Sequence, residues 1–279
     1  MTLRIRSRLR TGAAAARGMF LVATRGRPTA DGPYKIFVVG SGRSGTHWLG
    51  YILDAFPATH VTVEKAPIFP WVVDIAQNPG RERDLFPRLA RRYRAEHRAV
   101  LPRHYVDKSH PNLWLAESLA AEFPEARFVA ISRRLEGTVA SMLKHDGVRH
   151  WAEAWDRDPR PNRFLGVDEA LVATYREMSI AARCAVRVIA HAREIERLGP
   201  VLGPRLHKIG YETLHAEWEA EVARLSAFLG LAAPAGLPTP KAESRDKWRS
   251  GLADGDRRDI RSVAALMGAG GLLEPAEAV

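Results

Sequence analysis

Residues 35–49 read KIFVVGSGRSGTHWL, and no other stretch constrains the fold of this chain as strongly. The apolar run 36–39 has the length of a buried strand. Gly40 to Gly45 make a tight loop, and Trp48, Leu49, Ile52, Leu53 and Phe56 form an apolar stripe at helical spacing. A strand that passes through a glycine loop into a helix aims backbone N–H groups and the positive end of the helix dipole at one point, which suits an anion. The spacing of Gly40 and Gly45 is that of a P-loop, G-x-x-x-x-G-K-[ST]. Thr46, however, stands where the lysine belongs, and the cation has moved into the loop as Arg43.

The same alternation continues downstream. Candidate strands at 36–39, Thr59–Val63, 104–106, Arg127–Ser132 and 206–209 are separated by helical patterns, one carrying Leu113, Leu115, Leu119 and Phe123, and another running over 135–144. The reading is an α/β fold: a central parallel sheet of about five strands with helices on both faces, P-loop-like. The sector 148–200 lacks strand signals. It contains Trp151 and Trp155, four apart and so on one helix face, a proline-rich loop at 156–162, and a long helical stretch over 168–198. It is read as a helical insert within a domain spanning 34–279. Residues 1–33 form a basic extension and linker with seven arginines before Pro28 and one acid, Asp31.

The net charge of +10 favours anionic partners: nucleotides, phosphorylated or sulfated substrates, acidic glycans, nucleic acid or a membrane surface. Cys184 is the single cysteine, so no intrachain disulfide forms, and it reads as a small core residue. No run of eighteen apolar residues occurs, and the N-terminal apolar segment is broken by Arg17. The expectation is a cytoplasmic protein whose basic N-terminus is either a disordered extension or a peripheral membrane contact. Aromatic residues are not interleaved with the arginines as a base-stacking groove requires, so nucleic acid is not expected as the partner.

The pattern strand, then G-S-G-R-S-G-T-x-W-L, resembles the 5′-phosphosulfate loop of the sulfotransferases, which use 3′-phosphoadenosine 5′-phosphosulfate (PAPS). The resemblance implies that Ser41, Gly42, Arg43, Ser44, Gly45, Thr46, His47 and Trp48 hold the 5′ end of that nucleotide. His47 departs from the family's usual second threonine. A second match lies after the fourth strand: Arg133, followed eight residues later by Ser141, resembles the 3′-phosphate motif, with Arg134 and Leu135 where Asp and Pro are common. An arginine at that strand end, instead of a metal-holding acid, suits an anion bound without metal. Lys108, in Asp107-Lys-Ser-His-Pro111, resembles the family's active-site lysine, and the resemblance implies charge stabilisation at the bridging oxygen. Two groups are candidates for the general base, His110 and Glu64, the latter in a place resembling the catalytic glutamate of tyrosylprotein and bacterial members. Tyr211, in Y-E-T-L, would flank the adenine. Lys247, Trp248 and Arg249 occupy the position of a late loop over the nucleotide.

The resemblance therefore implies a sulfotransferase with PAPS as co-substrate and no metal. Its acceptor would be a hydroxyl or amine on a carbohydrate, lipid-linked sugar, secondary metabolite or protein. Two alternatives come from other classes. A P-loop nucleotide kinase or other phosphotransferase would want a loop lysine and Mg²⁺. A non-catalytic polyanion-binding protein would bind with a steep salt dependence.

Overall fold

In the computed structural model, residues 32–237 and 248–273 are described. The arginine-rich N-terminal segment and Lys247 lie outside them. Five strands form one sheet: β1 (Lys35–Gly40), β2 (Thr59–Val63), β3 (His104–Lys108), β4 (Arg127–Ser132) and β5 (Leu206–Gly210). All neighbouring pairs are parallel, in the order β2-β3-β1-β4-β5.

Every residue of β1 is buried, because helices cover both faces. Ile36 and Val38 point into one apolar layer, Phe37 and Val39 into the other. The period-2 pattern of a strand thus reads as a continuous apolar run when neither face meets water. On the Ile36 side pack α1 (Thr46–Asp54), α9 (Tyr211–Ala216) and α10 (Trp218–Leu229). On the Phe37 side pack α2 (Ile68–Gln77), α3 (Glu82–Val100), α4 (Ala116–Glu122) and the C-terminal half of α8 (Ile180–Leu202). Phe37 lies 5.4 Å from Phe128 and 5.1 Å edge-on from Tyr93, ring centroid to centroid. Each fully buried side chain of this size contributes about 1.5–3 kcal/mol.

A third apolar cluster joins α5 (Leu135–Leu143), α6 (Asp146–Glu153), α7 (Val172–Glu177), the N-terminal half of α8, and α11 (Asp254–Leu266). The long helix expected over 168–198 is interrupted. Met178 is extended, and the Ser179 hydroxyl accepts the Ala182 N–H at 3.2 Å, capping a new helix start. A serine cap satisfies an end donor that a continuous helix would have bonded internally, so it favours the break. Helix α8 then carries the chain from β4 back to β5.

Strand order makes β1 the switch point: β3 and β2 lie to one side, β4 and β5 to the other. Crevices open beyond the carboxyl ends of strands at such a point. Gly40 ends β1, Glu64 follows β2, Lys108 closes β3, Arg133 follows β4 and Tyr211 follows β5. Five separated segments therefore deliver their chemistry to one edge.

Candidate active site

The loop after β1 is held in shape by close contacts that only glycine allows. A Cβ on Gly40 would lie 2.5 Å from the Ile131 carbonyl oxygen, and Gly45, at φ 105°, would press one against the Tyr211 ring at 2.7 Å. Between them Arg43 takes a left-handed φ of 73°. Non-glycine residues adopt that region at a cost that surrounding contacts must offset. Ser44 supplies such contacts: its hydroxyl donates to the Ser41 carbonyl at 2.7 Å and the Ile131 carbonyl at 3.1 Å, and its N–H reaches the Ser41 carbonyl. The donors of Ser44 thus staple the loop to β4. No side chain caps α1 at Gly45, so its first-turn N–H groups are left to a ligand or solvent.

The second cationic group stands across the loop. Arg43 Nε donates to Ser141 Oγ at 3.2 Å, joining two segments 98 residues apart. The Arg133 guanidinium lies 4.2 Å over the Tyr211 ring and is braced against Gly137. Tyr211 belongs to an aromatic group with Trp48, His215 and Trp218; Trp48 and Trp218 stack at 5.5 Å. Trp248 is buried in the cluster with α11, and Gly251, three residues on, lies against Lys144 just past α5. The Arg249 guanidinium lies over the Trp248 ring at 5.3 Å.

At the other end of the loop, Lys108 Nζ donates to Glu64 Oε1 at 2.5 Å and to His47 Nδ1 at 2.9 Å. His110 Nδ1 lies 3.3 Å from the same glutamate oxygen, which fits the Nδ1–H tautomer. Burial opposes ionisation of Glu64, yet the hydrogen bond from His110 and the charge and hydrogen bond of Lys108 overcome it and take its pKa down to about 2. Burial lowers the His110 pKa to about 4 against the pull of Glu64, so the ring is neutral near pH 7. Burial also lowers Lys108, with Glu64 opposing. Glu64 itself sits at φ 45°, strained for a non-glycine residue. Beneath the pair, Asp107 is fully buried and its carboxylate accepts from Tyr93, Asn112, Thr62 and Ser109. Burial still lifts its pKa to about 6.

Arg43, Thr46, His47, Glu64, Lys108 and His110 line one cleft of about 120 Å³. Its remaining wall was not marked by sequence reasoning: Phe69, His145, Val148, Trp151 and Arg187. The signal available was Arg187 itself, an arginine set among Ala, Cys and Val in the middle of a helix.

The profile of the Sulfotransferase family matches residues 89–235, just over half of the chain. That span contains Lys108, Arg133, Ser141 and Tyr211, while the 41–48 loop precedes it. No curated protein matches the sequence significantly. Among solved structures, the fold is similar to the sulfotransferase domain from the curacin biosynthetic pathway, at 14% identity and TM-score 0.55, covering 85% of this chain and 98% of that one. It is also similar to the sulfotransferase domain from the Synechococcus PCC 7002 olefin synthase, at 16% identity and TM-score 0.52, covering 87% and 98%.

Proposed function

Because the chain belongs to the sulfotransferase family, we propose that it moves a sulfuryl group from PAPS to a hydroxyl or amine of a small-molecule or glycan acceptor by in-line displacement. The observation that carries this reading is the spacing of cations along one sheet edge. Arg43 on the loop and Arg133 over Tyr211 flank the β1 switch point, and Ser141 bonds the first of them. Two phosphoryl groups on one adenosine suit two such arginines, since a guanidinium can bond phosphate oxygens in pairs. The loop fits an anion because Gly40 and Gly45 keep backbone close to backbone, where a Cβ would intrude.

PAPS supplies the activated sulfuryl group; the protein positions it and handles charge and proton. The new bond joins the acceptor oxygen or nitrogen to sulfur as the bond from sulfur to the 5′-phosphate oxygen breaks. Arg43, Lys108 and the loop amides meet the charge left on that phosphate. Preorganised donors of this kind supply most of the rate enhancement in comparable transfers.

Glu64 is the base in this reading, with His110 positioning it. Both hydrogen bonds from Lys108 and His110 fall on Oε1, and the glutamate is 28% exposed. His110 Nε2 is buried next to Gly42. A base must come within about 3 Å of the proton it removes, which favours the accessible carboxylate. A carboxylate held at a pKa of about 2 is a weak base. With His110, Lys108 keeps it acidic, and Lys108 is the one drawn to the departing oxygen, so Glu64 gains basicity as Lys108 shifts its charge there.

A Mg²⁺-dependent phosphotransferase would want a free carboxylate beside the loop. Asp107, on the strand next to β1, has its oxygens bonded inside the core. The direct test is transfer of ³⁵S from labelled PAPS to a panel of phenols, alcohols, amines and sugars in EDTA. The expected result is labelled product that Arg43→Ala reduces about a hundredfold. Transfer by the variant at the wild-type rate would overturn the assignment.

A further inference from the structure

Arg187 is the least satisfied charge in the described structure. It sits in the middle of α8, 2% exposed, and none of its three guanidinium nitrogens has a hydrogen-bond partner among the described residues. Burial lowers its pKa to about 10, which leaves it cationic near neutrality. Its guanidinium lies 4.0 Å from the Phe164 ring centroid and 5.0 Å from that of Trp151, and those rings meet edge to face at 5.1 Å. Aromatic faces hold a guanidinium flat but leave its in-plane N–H groups unused. An uncompensated buried cation costs several kcal/mol, so folds retain one chiefly where a counter-ion arrives.

The cleft it lines is the one holding Glu64, Lys108 and His110. The charges along that wall identify what is missing. Arg43 and Lys108 have their roles at the departing phosphate, and Glu64 is bonded to Lys108. His110 is neutral. Among the described residues no carboxylate pairs with Arg187; its helix neighbours are Cys184 and His191, and burial keeps the His191 ring neutral. Trp114 donates to His191 Nε2 at 3.3 Å, and His191 Nδ1 lies 2.7 Å from the Arg187 carbonyl, so His191 is bonded without reaching the guanidinium.

We propose that Arg187 binds an oxyanion of the acceptor, so that this enzyme sulfates acidic acceptors carrying a carboxylate, sulfate or phosphate a short distance from the nucleophile. The inference deepens the proposed function and rests on it for the word acceptor. The anion would dock in the cleft against the guanidinium beside Trp151, and leave its hydroxyl or amine near Glu64. One cation would then serve two ends: affinity for acidic acceptors, and exclusion of neutral analogues that leave the guanidinium unpaired.

The test compares matched probes by calorimetry: 4-hydroxyphenylacetate against 4-hydroxyphenylacetamide, on protein saturated with 3′-phosphoadenosine 5′-phosphate and on nucleotide-free protein. The wild type is expected to prefer the acid about tenfold or more, the scale of a charge-assisted hydrogen bond. Arg187→Met, which fills the same volume without charge, is expected to lose that preference, keep the bisphosphate affinity within about twofold, and melt no lower than the wild type. Arg187→Lys is expected to retain part of the preference.

Equal binding of acid and amide by the wild type, or a preference surviving in Arg187→Met, would overturn the proposal. So would loss of bisphosphate binding in Arg187→Met with the fold intact, because the anion would then belong to the donor. If the wild type bound no bisphosphate at all, the donor reading would fail, and the nucleotide-free comparison would still decide whether Arg187 recognises oxyanions.

Discussion

At the scale of single residues, the account turns on one carboxylate oxygen shared by a lysine and a histidine. Glu64→Gln keeps the shape and removes the base, and is expected to lower kcat about a hundredfold to ten-thousandfold. His110→Asn keeps a donor toward Glu64 and is expected to cost less than about tenfold. Single-turnover rates with labelled PAPS separate the two, and the reverse ranking would make His110 the base. Both residues could be read from the sequence as candidates, because each follows a strand end in a family-like context. Their ranking could not, since it depends on which atom is exposed. Arg187 stayed hidden because a charge on a helix is normally solvated, and only tertiary packing closes Trp151 and Phe164 around it.

At the scale of elements, the sheet was legible and the helices less so. Short segments flanked by glycine, proline and polar residues located all five strands. Burial on both faces explains why β1 and β4 read without alternation, while the edge strands β2 and β5 carry polar residues and are only partly buried. Strand β3 extends two residues past its apolar run, because Asp107 is bonded inside the core and Lys108 pairs across to Val63. Apolar runs do not register such polar but satisfied residues. The break before α8 was missed because Ser179 acts through a single cap. The phosphate loop is the element most sensitive to substitution. Gly45→Ala forces a side chain onto Tyr211 at an unfavourable φ, and is expected to cost about 1–3 kcal/mol. Differential scanning calorimetry should register that as a fall of several degrees in Tm. An unchanged Tm would mean that the loop relaxes more freely than these contacts imply.

At the scale of the whole molecule, buried histidines set the acid limit of stability. His97, His104 and His110 are each pushed down to about 4, and His191 is held well below its ordinary value, chiefly by burial. Between pH 6.5 and 4 the unfolded chain binds protons that the folded chain refuses, so stability falls as pH falls through that window. Asp107, raised to about 6, works the other way between pH 6 and 3.8. At pH 5 unfolding is expected to take up roughly three protons, readable from the pH dependence of Tm. A Tm that rose on acidification from pH 6.5 to 5 would contradict the burial described. The net charge of +10 suits a polyanionic donor but could not name one. The strand order does more, by bringing Arg43 and Arg133 to one edge of the sheet. The most direct test of that arrangement is calorimetric binding of 3′-phosphoadenosine 5′-phosphate against AMP, ADP and ATP in EDTA. The account predicts that the 3′,5′-bisphosphate binds tightest, and that Arg133→Ala lowers its affinity about tenfold to a hundredfold while leaving AMP nearly unchanged. Equal affinity for AMP and the bisphosphate in the wild type would contradict it.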